Sequence, residues 1–105
     1  MTIITPQYKL IFTYDILPGK QDEYSQFILR RFIPGIQTLN LYVMGVYHTV
    51  FGDYPARQAE FVSESWEAMQ DAISSDTFKE LESNLLAYTT NYKRKIVRYR
   101  RGFQF

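Results

Sequence analysis

Tyr8-Lys9-Leu10-Ile11-Phe12-Thr13-Tyr14-Asp15-Ile16-Leu17-Pro18-Gly19-Lys20 sets the fold. Tyr8, Leu10, Phe12, Tyr14 and Ile16 share one face of a strand, and Lys9, Ile11, Thr13 and Asp15 share the other. Pro18-Gly19 stops the strand, because Pro has no N–H to donate and Gly tolerates a turn. Gln21-Asp22-Glu23 then places acidic residues where a helix dipole favours them, and Tyr24, Phe27, Ile28 and Phe32 follow at helical spacing. Pro34-Gly35 is expected to break or kink that helix, with Ile36 and Leu39 continuing it.

The same pattern occurs again. Ala59–Ser63 reads as a strand, Ser65 as an N-cap, and Trp66, Met69 and Ile73 as the start of a second helical segment. Ser74-Ser75-Asp76 interrupts it. Thr77-Phe78-Lys79-Glu80 then matches a capping box, and Phe78, Leu81, Leu85, Tyr88 and Tyr92 form one stripe. Between the repeats, Leu41–Phe51 is a strand in which Gly45 marks a bulge. The turn chemistry of Gly52-Asp53-Tyr54-Pro55 folds a strand from about Arg57 back on it. A last strand is expected over Lys95–Arg101. The order β-α-β-β-α-β predicts an α+β, ferredoxin-like sandwich: a four-stranded antiparallel sheet with both helices on one face.

The other face has no cover in a single subunit. Leu41–Phe51 is apolar on both parities, with Tyr42, Met44, Val46 and Val50 on one side and Val43, Tyr47 and Phe51 on the other. Ile11 adds to the open face of the first strand. An open face this apolar calls for a partner, most simply a second copy. A homodimer is expected.

The 105 residues fit a single domain over 1–105. Apolar residues at 46% and aromatics at 17% supply a core and exclude a disordered chain. The apolar runs are too short to span a membrane, and Met1–Pro6 lacks the regions of a signal peptide, so a cytoplasmic protein with no membrane partner is expected. Without Cys there is no disulfide framework and no thiolate chemistry. All 11 acidic residues lie at or before Glu82, whereas six of the 12 basic ones lie between Lys93 and Arg101. Such a block marks either a nucleic-acid or acidic-ligand site or a strand whose basic side chains face solvent or pair with the acidic body, and the alternation of Ile96-Val97-Arg98-Tyr99-Arg100 favours the strand.

On these residues the chain resembles the dimeric α/β-barrel superfamily, with its antibiotic-biosynthesis-monooxygenase-like and NIPSNAP-like families. The likeness is carried by Leu17-Pro18-Gly19-Lys20 before Asp22-Glu23-Tyr24, and by the strand around Gly45 with the Gly52-Asp53 hairpin. Glu64-Ser65-Trp66-Glu67-Ala68-Met69 running into Ser74-Ser75-Asp76-Thr77-Phe78-Lys79 also carries it, and it spans Tyr8 to Tyr99. The resemblance implies two sheets packed face to face as a barrel, often with a ligand cavity. Members include cofactor-free oxygenases, isomerases, cyclases, haem-degrading enzymes and proteins without known activity, so the fold alone does not choose.

His48 is the only histidine and the natural candidate for a general base or an orienting group, provided its strand parity lines a cavity. Tyr14, Tyr47 and Arg98 are the candidate ligand-positioning residues, within a larger set of strand and helix tyrosines that includes Tyr42, Tyr88 and Tyr99. The implied ligand is a small apolar or aromatic molecule, bound without metal, nucleotide or other cofactor. The implied chemistry is that of a cofactor-independent monooxygenase, isomerase or cyclase; the alternative is a non-catalytic dimeric interaction module. Haem degradation would need an axial His after Trp66, and Asp76 stands near that place, so Trp66 reads as core. One His with scattered carboxylates makes no metal cluster, although Glu60 and Glu64 share a parity. An RNA-recognition domain shares the element order, but Arg57-Gln58-Ala59-Glu60-Phe61-Val62-Ser63-Glu64 has one stacking aromatic beside two carboxylates. Nucleic acid is therefore not an expected partner.

Overall fold

Leu10, Phe12 and Tyr14 alternate inward along β1 (Tyr8–Ile16) and are at most 2% exposed, as the opening stretch predicts. The computed structural model describes residues 5–51 and 54–99, with side-chain surroundings described outside 49–51 and 54–56. The sheet order is β2-β3-β1-β4, all antiparallel, with β2 spanning Tyr42–Phe51, β3 Tyr54–Ser63 and β4 Thr89–Arg98. This is the expected ferredoxin-like α+β sandwich. The Gly52-Asp53 turn lies outside the described residues. Among the described residues no helix is long and apolar enough to cross a membrane.

The first helical layer is not broken at Pro34. α1 (Gln21–Phe27) passes through a π-helical turn (Ile28–Phe32) into α2 (Ile33–Gln37), with the Ile33 N–H donating to the Ile28 carbonyl five residues back. The cause is steric: Pro34 has no N–H for the Arg30 carbonyl, and its ring would collide with it in an α-turn. Widening the turn keeps the chain helical, so Ile28, Phe32 and Ile36 all reach the core.

In the second layer α3 (Trp66–Ser74) starts on Ser65, whose hydroxyl accepts from the Ala68 N–H at 3.0 Å. α4 (Asp76–Leu86) is capped by Ser75, two residues before the expected Thr77. Ser75 Oγ accepts from the Phe78 N–H at 3.1 Å and donates to the Ala72 carbonyl at 2.7 Å, so one hydroxyl ends α3 and starts α4. Phe78, Leu81 and Leu85 are buried along α4, but the stripe ends there. Tyr92 belongs to β4, which begins at Thr89 rather than Lys95. Asn91 takes a positive φ of 54° beside a register shift against β1, and its amide donates to Asp15 at 2.8 Å.

Phe12 is the centre of the core. Its ring lies 5.4 Å from Phe32 and 5.9 Å from Phe61, both edge-on, and stacks at 6.1 Å on Phe78. Trp66 is not core: it is 45% exposed, tilted against Tyr8 at 5.3 Å. Arg94 lies over the Phe78 ring and pairs with Glu82 at 3.4 Å, so part of the basic block serves to pack β4 against α4.

The bulge expected at Gly45 is present, as a register shift between Val43 and Gly45. It regroups the strand. Tyr42, Gly45 and Tyr47 oppose Val62, Glu60 and Gln58 on the open face, whereas Val43, Val46 and His48 oppose Phe61, Ala59 and Arg57 on the helix side. The open face is therefore less uniformly apolar than expected. Ile11, Val62, Val97, Tyr42 and Tyr47 surround an ion pair between Lys9 and Glu60 at 3.4 Å, with side chains 13% and 11% exposed. Gln58 donates to the same carboxylate at 2.5 Å. Glu60 thus pairs with a lysine, and Glu64, exposed beyond the end of β3, does not join it.

Candidate functional site

Antiparallel register lines up His48 on β2, Arg57 on β3 and Tyr14 on β1 as one row across the helix side of the sheet. Neighbouring strands lie about 4.8 Å apart, so the row spans roughly 10 Å. Above it, α1 lowers Tyr24 onto Tyr14, and the two phenol hydroxyls hydrogen-bond to each other with rings edge-on at 5.6 Å. Tyr14 and Tyr24 are buried, Arg57 is half-buried and His48 is exposed, so the row runs from the core out to solvent.

The electrostatics follow from that gradient. Burial pushes the Tyr14 phenol far above its ordinary value, and the neighbouring Tyr24 adds to the rise. Burial also raises Tyr24, opposed by the hydrogen bond from Tyr14. The Arg57 guanidinium pulls both phenols down. Among the described residues no carboxylate pairs with Arg57, in contrast to Lys9, Lys20 and Arg94. A half-buried cation facing two phenols and lacking a counter-ion can hold an anionic oxygen.

Of the residues singled out in the sequence, Tyr14 and His48 share this row, two strands apart with Arg57 between them. Tyr47 does not: it projects to the open face, where its ring lies over Gly45, and a Cβ at Gly45 would stand 2.5 Å from the Tyr47 hydroxyl. The bulge moves Tyr47 to the face of Tyr42 and His48 to the helix side, the reverse of the simple parity of Leu41–Phe51. Arg98 pairs in register with Tyr8, six residues along β1 from Tyr14 and so about 20 Å away. Arg57 and Tyr24 were not singled out as site residues. The available signal was Arg57 sharing the inward parity of Ala59 and Phe61, a charge at a core-facing position near a strand end. Among the described residues no three His, Asp or Glu side chains gather into a metal cage.

No protein-family model matches the sequence. No curated protein matches it in sequence. Solved structures do match its fold. A NIPSNAP family protein from Agrobacterium tumefaciens superposes with a TM-score of 0.71 at 12% identity, covering 96% of this chain and 92% of that one. SnoaB, a cofactor-independent oxygenase from Streptomyces nogalater, superposes with a TM-score of 0.71 at 13% identity over 93% of this chain and 97% of that one. A NIPSNAP domain protein from Burkholderia xenovorans gives 0.67 at 10% identity over 93% and 99%. At these identities the likeness is one of fold: the chain has the ferredoxin-like fold of these NIPSNAP proteins and of SnoaB, as the resemblance over Tyr8–Tyr99 implies.

Proposed function

We propose that this protein is a homodimer that binds a small aromatic molecule bearing an acidic oxygen, held where Tyr14, Tyr24, Arg57 and His48 converge. The observation that carries the reading is Arg57, half-buried beside two buried phenols and without a carboxylate partner among the described residues. The guanidinium takes the anionic oxygen, and apolar side chains exposed beside it on the helix side take the ring. His48, one strand over, is on the solvent side of that oxygen. An imidazole there can accept a proton from a carbon next to the carbonyl while Arg57 holds the charge that develops on oxygen. This is chemistry of the cofactor-independent kind, and SnoaB has the same fold and a cofactor-independent oxygenase activity.

The dimer closes over the open face. Tyr42 and Tyr47 are 37% and 45% exposed there, next to Val62, Ile11 and Val97, and a second sheet would cover them. Light scattering should return twice the chain mass, and Tyr42→Asp with Tyr47→Asp should halve it. A parent that runs as a monomer at micromolar concentration rejects the dimer.

A second reading has its own support: Tyr14 and Tyr24 satisfy each other and are nearly inaccessible, as in a filled structural core. Titration with 1-hydroxy-2-naphthoate separates the two. Binding that raises the melting temperature in the parent, and is lost in Arg57→Gln with the apo melting temperature kept, supports the ligand site. No binding at millimolar probe, or the same binding in Arg57→Gln, leaves the non-catalytic module.

A further inference from the structure

The π-turn creates a second feature that the row of Tyr14, Arg57 and His48 does not use. Along the outer flank of α1 runs a groove of about 440 Å³, within the size range of small-molecule pockets. Its floor is aromatic: Phe27 and Tyr88 lie 5.4 Å apart with rings tilted by 40°. Arg30 and Arg31 line one end, and Asp22 and Gln26 the other.

Two facts give this groove a polarity. A π-turn holds more residues than an α-turn, so consecutive side chains are spaced more closely around the axis. The turn at Ile28–Phe32 thereby brings Arg30 and Arg31 into the same groove. Neither arginine forms an ion pair among the described residues, and Arg31 lies over the Phe27 ring, 5.8 Å from its centroid. Glu23 at the far end is already paired with Lys20 at 3.5 Å. Asp22 and Arg30 are eight residues apart, roughly 12 Å along the helix, too far to neutralise each other directly.

We infer that this groove is a binding site for a planar aromatic anion, a carboxylate, sulfonate or phosphate on a flat ring. Its charged group is held by the guanidinium forks of Arg30 and Arg31, and its ring lies on Tyr88 beside the small part of Phe27 that is exposed. Asp22 and Gln26 accept hydrogen bonds from a donor at the far end of the ligand. The site is separate from the one around Arg57 and does not depend on it.

The test is a residue-resolved amide NMR titration with 2-naphthalenesulfonate, alongside 2-naphthylmethylammonium and inorganic phosphate. Saturable shifts confined to Gln26–Arg31 and Tyr88, at least tenfold tighter for the sulfonate than for the ammonium or for phosphate alone, are expected. Arg30→Met with Arg31→Met keeps the apolar stems over Phe27 and should weaken sulfonate binding at least tenfold. Arg57→Gln should leave it within twofold. Shifts centred on Tyr14 and Tyr24, equal affinity for the ammonium, or an unchanged affinity in the double Met variant overturns the inference.

Discussion

Tyr14 on β1 and Tyr24 on α1 share a hydrogen bond between their phenol hydroxyls inside the core, and that bond ties the first helix to the sheet. It places a polar pair at the inner end of a row that otherwise runs through Arg57 to His48. The pair therefore bears on stability and on the proposed site together, and its energetics can be measured apart from any ligand.

Tyr24→Phe leaves the Tyr14 hydroxyl buried without a partner, which costs about 1–3 kcal/mol. Replacing both by Phe removes the orphan, and the double variant should be more stable than Tyr24→Phe alone. Urea unfolding with an unchanged m-value is the measurement. Additive losses in the double variant would show that the two hydroxyls do not depend on each other.

Alkaline pH probes the same groups. The phenols of Tyr14, Tyr24 and Tyr92 are all raised above the ordinary value of 10, in each case chiefly by burial. Above about pH 10 the unfolded chain releases these protons while the folded chain keeps them, so the native state binds more protons and stability falls as pH rises. Their contribution is fully present below pH 10. Each phenol steepens the decline by up to about 1.4 kcal/mol per pH unit. Melting temperatures between pH 8.5 and 11 should fall less steeply in Tyr14→Phe/Tyr24→Phe than in the parent. Identical slopes would remove both groups from the titration.

Two ion pairs allow a direct comparison of burial. Lys9 and Glu60 are 13% and 11% exposed on the open face, and Lys20 and Glu23 are 44% and 58% exposed on α1. Lys20→Met should cost no more than about 1 kcal/mol. Lys9→Met strands a carboxylate that solvent hardly reaches and should cost about 3 kcal/mol, most of it recovered when Glu60→Leu is added. Chemical denaturation of the three variants settles the order; equal costs for the two lysines would mean that water reaches Glu60 freely.

The sheet was legible because alternation in Tyr8–Ile16 and the repeated strand-helix pattern report on burial, which dominates the energy of so small a core. The site was legible only in part. Tyr14 and His48 could be read as chemistry, but whether they meet depends on register, and one extra residue at Met44 reverses the facing of every later side chain on β2. That single bulge moves His48 from the face of Tyr42 to the helix side and Tyr47 to the open face. Arg57 is not legible in the sequence, because its importance lies in having no carboxylate partner among the described residues, and pairing is a property of the folded chain. Tyr92 was misassigned because helical spacing from Phe78 runs on by arithmetic past Leu86, where the backbone has already turned into β4. At Pro34 local sequence allows either a break or a kink, and it cannot show that a π-turn absorbs the ring and keeps the chain helical.

Gly35 and Gly45 make opposite predictions for the same substitution. A Cβ at Gly35 would stand 2.6 Å from Leu81 Cδ1, and Leu81 is buried between α2 and α4. Gly35→Ala gains up to about 1 kcal/mol of helix propensity. The overpacking costs about 1–3 kcal/mol, so a net loss is expected. At Gly45 the atoms in the way are the far end of the Tyr47 ring, a side chain 45% exposed that can swing aside. Gly45→Ala should leave the stability of the subunit within about 0.5 kcal/mol, since nothing buried must move. Its effect belongs to the open face: displacing Tyr47 alters the surface that a second copy would cover, so the proposed dimer should dissociate on dilution at higher concentration than in the parent. If Gly45→Ala instead unfolds the subunit, the Tyr47 ring is fixed to Gly45 as part of the fold. If dissociation is unchanged, Tyr47 is outside the dimer contact.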